Sequence, residues 1–446
     1  MPTVRLSRRL SEGEHVGRSE RVAVIGAGYV GAVTAAVLAH FGHAVVLAES
    51  NLLRYAQLSS GKSPIVERDL EELLRAGLGS GKLRVVNSAV DAIPEADFIF
   101  LCVPTPQGDD GSADLSAVKV VIDEIGALLV RDAVVVIKST VPAGTSVLVA
   151  GMLERPDVTV VSNPEFLREG SAVADSLHPD RIVVGVDDPL VARRVAELFD
   201  STNAPLIVTS PITAETIKYA ANAFLATKLS FINSIATLCD AAGADVRDLI
   251  IALGYDKRIG FDFLSPGPGW GGSCLPKDTA ALVRIAESFD YDFAVLRAVI
   301  AQNDDHANRV VEKIRIAAGG SLGRADVALW GLTFKANTDD RRDSPAVNIA
   351  RRLRAEGAVL RAYDPTVATG SNAEDLEGVE LFSSPYDACA GARVVAILTE
   401  WDEFRNIDFD KVGELMTTPA IVDARNLLDP IALRAAGFAY SGIGRP

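Results

Sequence analysis

The segment RVAVIGAGYVG, starting at Arg21, restricts the fold more than any other part of the chain. A β-branched run breaks at a glycine turn, passes into the small-residue stretch TAAVLAHFG and returns to an apolar run, AVVLAE. Strand patterning on either side of a helical stretch makes one βαβ unit, which joins two parallel strands through a crossover helix. Further strand patterns at DFIFLCVP, AVVVIKST, VTVVSNPEF and RIVVGV alternate with helical ones, as in a mostly parallel sheet covered on both faces. Residues 213–242 contain neither proline nor internal glycine and place apolar side chains on more than one helical face, which predicts a long helix buried against partners. After the loop FLSPGPGWGGSCLPKD, helical patterns resume and run to Ala318. A second α/β series then follows: DVALWGLTF, the helix SPAVNIARRLRAEG, and the strands VLRAYDP, RVVAILTEW and AIVDARN. The expected fold is α/β, with two doubly wound domains joined by a long central helix. The expected limits are a disordered tail over 1–20, a dinucleotide-type domain over 21–205, a central helical domain over 206–318 and a second doubly wound domain over 319–446.

A chain of 446 residues with 48% hydrophobic and 23% charged residues has the composition of an ordered, enzyme-sized protein. Its formal charge of -15 argues against nucleic acid as a partner, while helix N-termini and a few placed cations still suit a small anionic ligand. Cys102, Cys239, Cys274 and Cys389 are far apart and form no CxxC pair, as in a reducing compartment. The basic start has no apolar signal core, and no later run reaches the ~18 apolar residues of a membrane span. A cytoplasmic protein is the expectation.

Gly26, Gly28 and Gly31 form GxGxxG at the strand-to-helix turn, and Glu49 closes the next strand at the spacing of a carboxylate that binds the adenine ribose. That carboxylate favours NAD over NADP; Arg54 nearby is the one feature that would suit a 2'-phosphate. In GWGGSCLPKDT, Pro276 stands where a helix begins, so Cys274 lies just ahead of a helix N-terminus, whose dipole and Lys277 favour a thiolate. Asp278 follows one helical turn later, where it can act as an acid–base or water-orienting group. The bland alternative for Cys274 is a small buried hydrophobe, which is the reading adopted for Cys102, Cys239 and Cys389. Lys218 and Asn222 share one face of the long helix; read alone, they are a snorkelling cation and a satisfied core amide. Glu165 and Glu169 fall in a loop after a strand, either at a ligand-binding sheet edge or as solvated carboxylates. The five histidines are scattered, and neither a metal site nor a Ser-His-Asp triad is read from them.

Taken in order, GAGYVG, CVPTP, KSTVPAGT, NPEFLREGSA with PDRIVVG, ETIKYAANAFLATKLSFIN, YDKRIG, FLSPGPGWGGSCLPKD, GLTFKANTDDRRDSP, YDP and LTEW resemble the UDP-glucose/GDP-mannose dehydrogenase family. The resemblance leaves only the first twenty residues uncovered. It implies two Rossmann-like domains, NAD on the first, and a central helix that also builds a homodimer. The implied reaction is a four-electron oxidation of UDP-glucose to UDP-glucuronate by NAD. UDP-N-acetylmannosamine or GDP-mannose are alternative substrates, and a catalytically silent NAD- and nucleotide-sugar-binding protein is a further alternative. Cys274 would form a thiohemiacetal and then a thioester, Lys218 and Asn222 would steady the oxyanion, and Asp278 would move the proton through a water. Glu165 would assist thioester hydrolysis and Thr140 would hold water.

By the same resemblance, NAD would meet Gly26, Gly28, Val30, Gly31, Glu49, Arg54, Thr105, Thr140, Glu169, Lys277 and Arg342. The sugar nucleotide would meet Glu165, Phe166, Leu167, Arg168, Lys218, Asn222, Asn233, Phe263, Leu264, Gly271, Lys335 and Arg425, with Arg258 arriving from a neighbouring subunit. Three positions depart from the family pattern: Glu49 stands where Asp is usual, Arg54 where Lys is usual, and Arg341 where an apolar residue is common.

Overall fold

Parallel strands need crossover helices, and the chain alternates the two in both of its α/β stretches. The computed structural model describes residues 19–108, 110–369 and 374–445; most of the expected tail, up to residue 18, lies outside the described residues. Two compact units are formed, one ending at Ala221 and the other starting at Asn222.

In the first unit, β1 (Arg21–Ile25), β2 (Ala44–Ala48), β3 (Leu83–Val86), β4 (Phe98–Leu101), β5 (Val134–Ile137), β6 (Thr159–Ser162), β7 (Ile182–Gly185) and β8 (Leu206–Thr209) form one sheet. Its order is β3-β2-β1-β4-β5-β6-β7-β8. Neighbours are parallel except at β6 and β7, which meet antiparallel through Ser162 and Gly185. Both faces are covered, so central strands such as FIFL and VVVI are buried along their whole length. Alternation divides β1 between two apolar layers, Val22 and Val24 in one and Ala23 and Ile25 in the other. The strand order reverses between β1 and β4, which opens a crevice at their C-terminal ends. β8 lies past the limit of 205 read from the sequence, because its LIVT run pairs in register with β7.

The second unit holds a parallel sheet of β9 (Asp326–Trp330), β10 (Val359–Tyr363), β11 (Val379–Leu381), β12 (Val394–Ile397), β13 (Ala420–Asp423) and β14 (Ala439–Gly442), ordered β11-β10-β9-β12-β13-β14. Ile232, Ala236, Val310 and Ile314 pack in one apolar layer with this sheet's Val327 and Leu329, while Trp330 and Phe404 lie in the other layer. Four strands were not read from the sequence: β3, β8, β11 and β14. Each is only three or four residues long, too short to display a period.

The helix Pro211–Ala242 opens on a proline and stops before Gly243, whose φ of 72° is the left-handed conformation of a helix C-terminus. It carries the boundary between the two units.

Candidate active site

The glycine turn after β1 separates two uses of glycine. Gly26 adopts φ 92°, and a Cβ on Gly31 would lie 1.7 Å from the Gly26 carbonyl oxygen, so the protein itself demands both. A Cβ on Gly28 would meet no protein atom within 4 Å. Gly28 is also the N-cap of the helix Tyr29–His40 and offers no side-chain cap, which leaves that helix start open to an anion. Space of this kind fits a pyrophosphate. Gly28→Ala is therefore expected to leave thermal stability within about 2 °C of the parent while weakening NAD about tenfold, whereas Gly31→Ala should lower the melting temperature by several degrees. Equal melting shifts in the two variants would contradict this division.

Glu49 is buried at the end of β2, where one carboxylate oxygen accepts the Ala27 N–H at 3.2 Å and the other the Asn51 N–H at 2.7 Å. Asn51 caps the next helix, on which Arg54 is exposed; Val30 is half-buried at the start of the first helix. The Thr105 hydroxyl donates to the Thr140 carbonyl at 2.8 Å and ties the loop after β4 to the loop after β5.

Glu165 and Lys218 form the buried charged centre of the first unit. Lys218 is 3% exposed and does not snorkel; its Nζ lies 2.8 Å from Glu165 Oε1. Glu165 is 6% exposed, which also overturns the solvated-loop reading, and it accepts the Leu167 N–H at 2.5 Å. Burial pushes its carboxyl up, but the Lys218 charge and hydrogen bond, the Leu167 N–H and Lys138 outweigh burial and hold it below its ordinary value. The Phe166 ring carries the Arg181 guanidinium 3.7 Å from its centroid and Lys218 Nζ at 5.7 Å. Arg168 pairs with Asp175 at 2.6 Å, and Glu169 is half-buried.

Glu215 escaped the sequence reading. It is 2% exposed, and it accepts from Gly144 N at 2.6 Å and from Ser146 N and Oγ at 2.8 and 2.6 Å, which caps the helix Thr145–Leu153. Its only signal was an acidic residue on an apolar stretch of helix, one turn ahead of Lys218.

In the second unit Cys274 is the N-cap of the helix Leu275–Ser288, with Pro276 in the first turn and Ser273 Oγ 3.5 Å from Sγ. Asp278 is 1% exposed; it accepts from Asn222 Nδ2 at 2.6 Å on one oxygen and from Lys277 Nζ at 2.5 Å on the other. The glycine loop ahead of the cysteine is clamped at Gly267, whose N–H donates to Asn233 Oδ1 at 2.9 Å and whose carbonyl lies 2.7 Å from His306 Nε2. A Cβ on Gly271 would strike the Asp343 carbonyl at 2.0 Å, so only glycine lets the backbones meet there. Phe263 holds φ 60° in the same loop, a strained conformation for an aromatic residue, and Leu264 is buried.

Lys335 sits 5.6 Å from the Phe334 centroid, and Arg425 donates to the carbonyls of Leu398 and Phe334 at 2.9 and 2.7 Å. Arg342 pairs with Asp340 at 2.6 Å. Arg258, expected from a neighbouring subunit, pairs within its own chain with Asp256 at 2.6 Å. Arg341, out of pattern in the sequence, meets Asp375 at 2.8 Å.

Three family models match in succession: the NAD binding domain over residues 20–203, the central domain over 212–305 and the UDP binding domain over 328–430 of the UDP-glucose/GDP-mannose dehydrogenase family. The chain belongs to the UDP-glucose/GDP-mannose dehydrogenase family. It is 44% identical to the UDP-glucose 6-dehydrogenase of Rhizobium meliloti, over 96% of this chain and 100% of the relative. Among solved structures it resembles a UDP-glucose dehydrogenase from Pyrobaculum islandicum, with TM-score 0.89 and 36% identity over 98% of this chain and 100% of the other. It also resembles a UDP-D-ManNAc dehydrogenase from Pyrococcus horikoshii, with TM-score 0.85 and 29% identity over 95% and 99% of the two chains. Within this dehydrogenase family, the Gly28 turn falls in the NAD-binding segment, Cys274 and Lys218 in the central one, and Lys335 and Arg425 in the UDP-binding one. Among the described residues no helix is long and apolar enough to cross a membrane.

Proposed function

We propose that the chain is a UDP-glucose 6-dehydrogenase that oxidises the sugar CH2OH to a carboxylate in two steps on one cysteine. The observation that carries this reading is Cys274 at a helix N-terminus, one turn ahead of a buried Asp278 held on both oxygens. A single hydride transfer needs no nucleophile, whereas an aldehyde that must be kept and oxidised again does.

NAD would be held by the Gly28 turn, Glu49, Thr105 and the other residues named for it above, and it supplies the acceptor for one hydride in each oxidation. Cys274 Sγ adds to the C6 aldehyde, and the new oxyanion takes a proton as the thiohemiacetal forms. Lys218 and Asn222, one turn apart on the same helix, face the developing oxygen charge with an ammonium and an amide donor. Asp278, already fixed by Asn222 and Lys277, relays the proton through a water. After the second oxidation Glu165 orients the water that cleaves the thioester, with Thr140 holding water beside it; the C–S bond breaks and the thiol is regenerated. Phe166, Leu167, Arg168, Asn233, Phe263, Leu264, Gly271, Lys335 and Arg425 line the sugar nucleotide in this reading.

A homodimer belongs to the same proposal. Phe224, Phe231 and Leu238 recur every seven residues on the Pro211–Ala242 helix and are exposed, an apolar stripe that a second copy would cover. A cytoplasmic location is supported by four free thiols, as in a reducing compartment.

The deciding experiment supplies limiting UDP-glucose, UDP-N-acetylmannosamine, UDP-galactose or GDP-mannose with excess NAD and counts NADH. Two NADH per UDP-glucose, from a species that sediments at twice the chain mass, is the expected result. One NADH per sugar would end the thioester mechanism, and faster turnover of another nucleotide sugar would reassign the substrate.

A further inference from the structure

Lys138, a half-buried cation of the first unit, has no part in that mechanism. Lys138 directly follows β5, and its Nζ donates to Asn163 Oδ1 at 3.0 Å. Asn163 is 1% exposed and is held twice more: its N–H donates to the Ile137 carbonyl at 2.9 Å and its Nδ2 to the Val183 carbonyl at 2.7 Å. This amide therefore links the ends of β5 and β6 to β7, where the sheet changes from parallel to antiparallel. Pro164 follows, with its φ locked by the ring, and Glu165 is next. The charged and titratable groups facing Lys138 are Cys102 at the end of β4, Glu165 and Lys218, and the Phe199 ring lies 5.5 Å from its Nζ.

We propose that Lys138 is a positioning residue for Glu165: through Asn163 it fixes the segment that carries the carboxylate, and its ammonium is the second positive charge facing it. The inference rests on the reading that Glu165 assists thioester hydrolysis. Lys218 alone would have to neutralise Glu165 and steady the substrate oxyanion. With Lys138 sharing the carboxylate, Lys218 keeps charge to offer the substrate. Burial brings Lys138 itself down to about 8, with Lys218 adding to the effect and Cys102 and Glu165 opposing it. The second charge is thus present at neutral pH and withdrawn above that value, so the wild-type hydrolysis step weakens on the alkaline side.

The test uses the full chain in three variants, Lys138→Met, Lys138→Arg and Asn163→Ala. In Lys138→Met the Glu165 carboxyl, followed by carbon-13 NMR against a Glu165→Gln control, should titrate about one pH unit higher than in the wild type. Its kcat with UDP-glucose should fall about tenfold, its KM for NAD should stay within about twofold, and the alkaline limb near pH 8 should vanish. Lys138→Arg should restore the Glu165 titration. Asn163→Ala, which keeps the charge but cuts the tether, should leave the titration in place and lower kcat alone. An unmoved Glu165 titration in Lys138→Met overturns the electrostatic half, and full activity in Asn163→Ala overturns the tether. Should Lys138→Met not fold, the other two variants carry the decision, since an Asn163→Ala enzyme with wild-type kcat contradicts the proposal by itself. If the wild type makes no NADH from UDP-glucose, the functional reading fails, and the Glu165 titration still reads the influence of Lys138.

Discussion

Cys274→Ser is expected to bind NAD and UDP-glucose within about threefold of the wild type and to make acid on the order of 10^4-fold more slowly or not at all. Two physical differences set that size. A helix N-terminus favours the anion of a thiol, while a serine hydroxyl is too weakly acidic to benefit, and Cys274 is the N-cap of the helix Leu275–Ser288. The second difference concerns the intermediate: a thioester is activated toward water and its thiolate leaves readily. Binding should survive because Cys274 belongs to none of the apolar layers; it is half-buried, with the Ser273 hydroxyl 3.5 Å from its sulfur. Product assayed by chromatography, with nucleotide binding by calorimetry, checks both halves. UDP-glucuronate formed by the serine variant at a tenth of the wild-type rate or faster would remove the cysteine from the mechanism.

The other large effect is expected at Lys218, where activity and stability should fall together. Lys218→Met strands Glu165 as a buried carboxylate, and breaking such a pair costs about 3–5 kcal/mol. Loss of the cation proposed to steady the oxyanion should lower kcat by a further factor of about 10^2 to 10^3. The pH dependence follows from the direction of the Glu165 shift. In the wild type the folded carboxyl lies below its unfolded value of 4.5, so the pair's stabilisation is complete above that pH and is lost as pH falls through the folded value. In Lys218→Met burial is opposed by less charge and the carboxyl moves up, so the deficit is largest at neutral pH and shrinks in acid. Urea unfolding at pH 7 and pH 4.5 reads the sign. Lys218→Met combined with Glu165→Gln should recover most of the stability and none of the activity. A stability deficit that grew on acidification would contradict the pairing.

The same pair marks where sequence reading stops. A lysine on a mostly apolar helix reads as a snorkelling side chain, because the cost of burying an ammonium is met only if a carboxylate waits for it. That carboxylate comes from the loop after β6, and no spacing in the chain announces it. Glu215 is a second instance: its acceptors' partners, Gly144 and Ser146, lie 71 and 69 residues away, and an isolated glutamate does not declare that it caps another helix. The short strands β3, β8, β11 and β14 escaped for a different reason, having too few residues to display alternation. The place of Glu49, just after β2 and beside the glycine turn, was legible from its spacing; its two backbone donors were not.

What the sequence determined by itself was local and repetitive. Strand and helix periods alternating twice specify two doubly wound sheets, the glycine turn specifies the first crossover, and a proline two residues after Cys274 specifies where its helix begins. These features depend on residues within a turn or a strand of one another, so steric and hydrogen-bonding rules act on them directly. The tertiary structure alone decided which charges leave the solvent and what meets them there: Lys218 with Glu165, Asp278 with the Asn222 amide across 56 residues, and half-buried Lys138 with the Asn163 amide across 25. A buried charge is tolerable only beside its partner, and the partners are delivered by strand order and helix packing, which bring together residues that are remote in the chain.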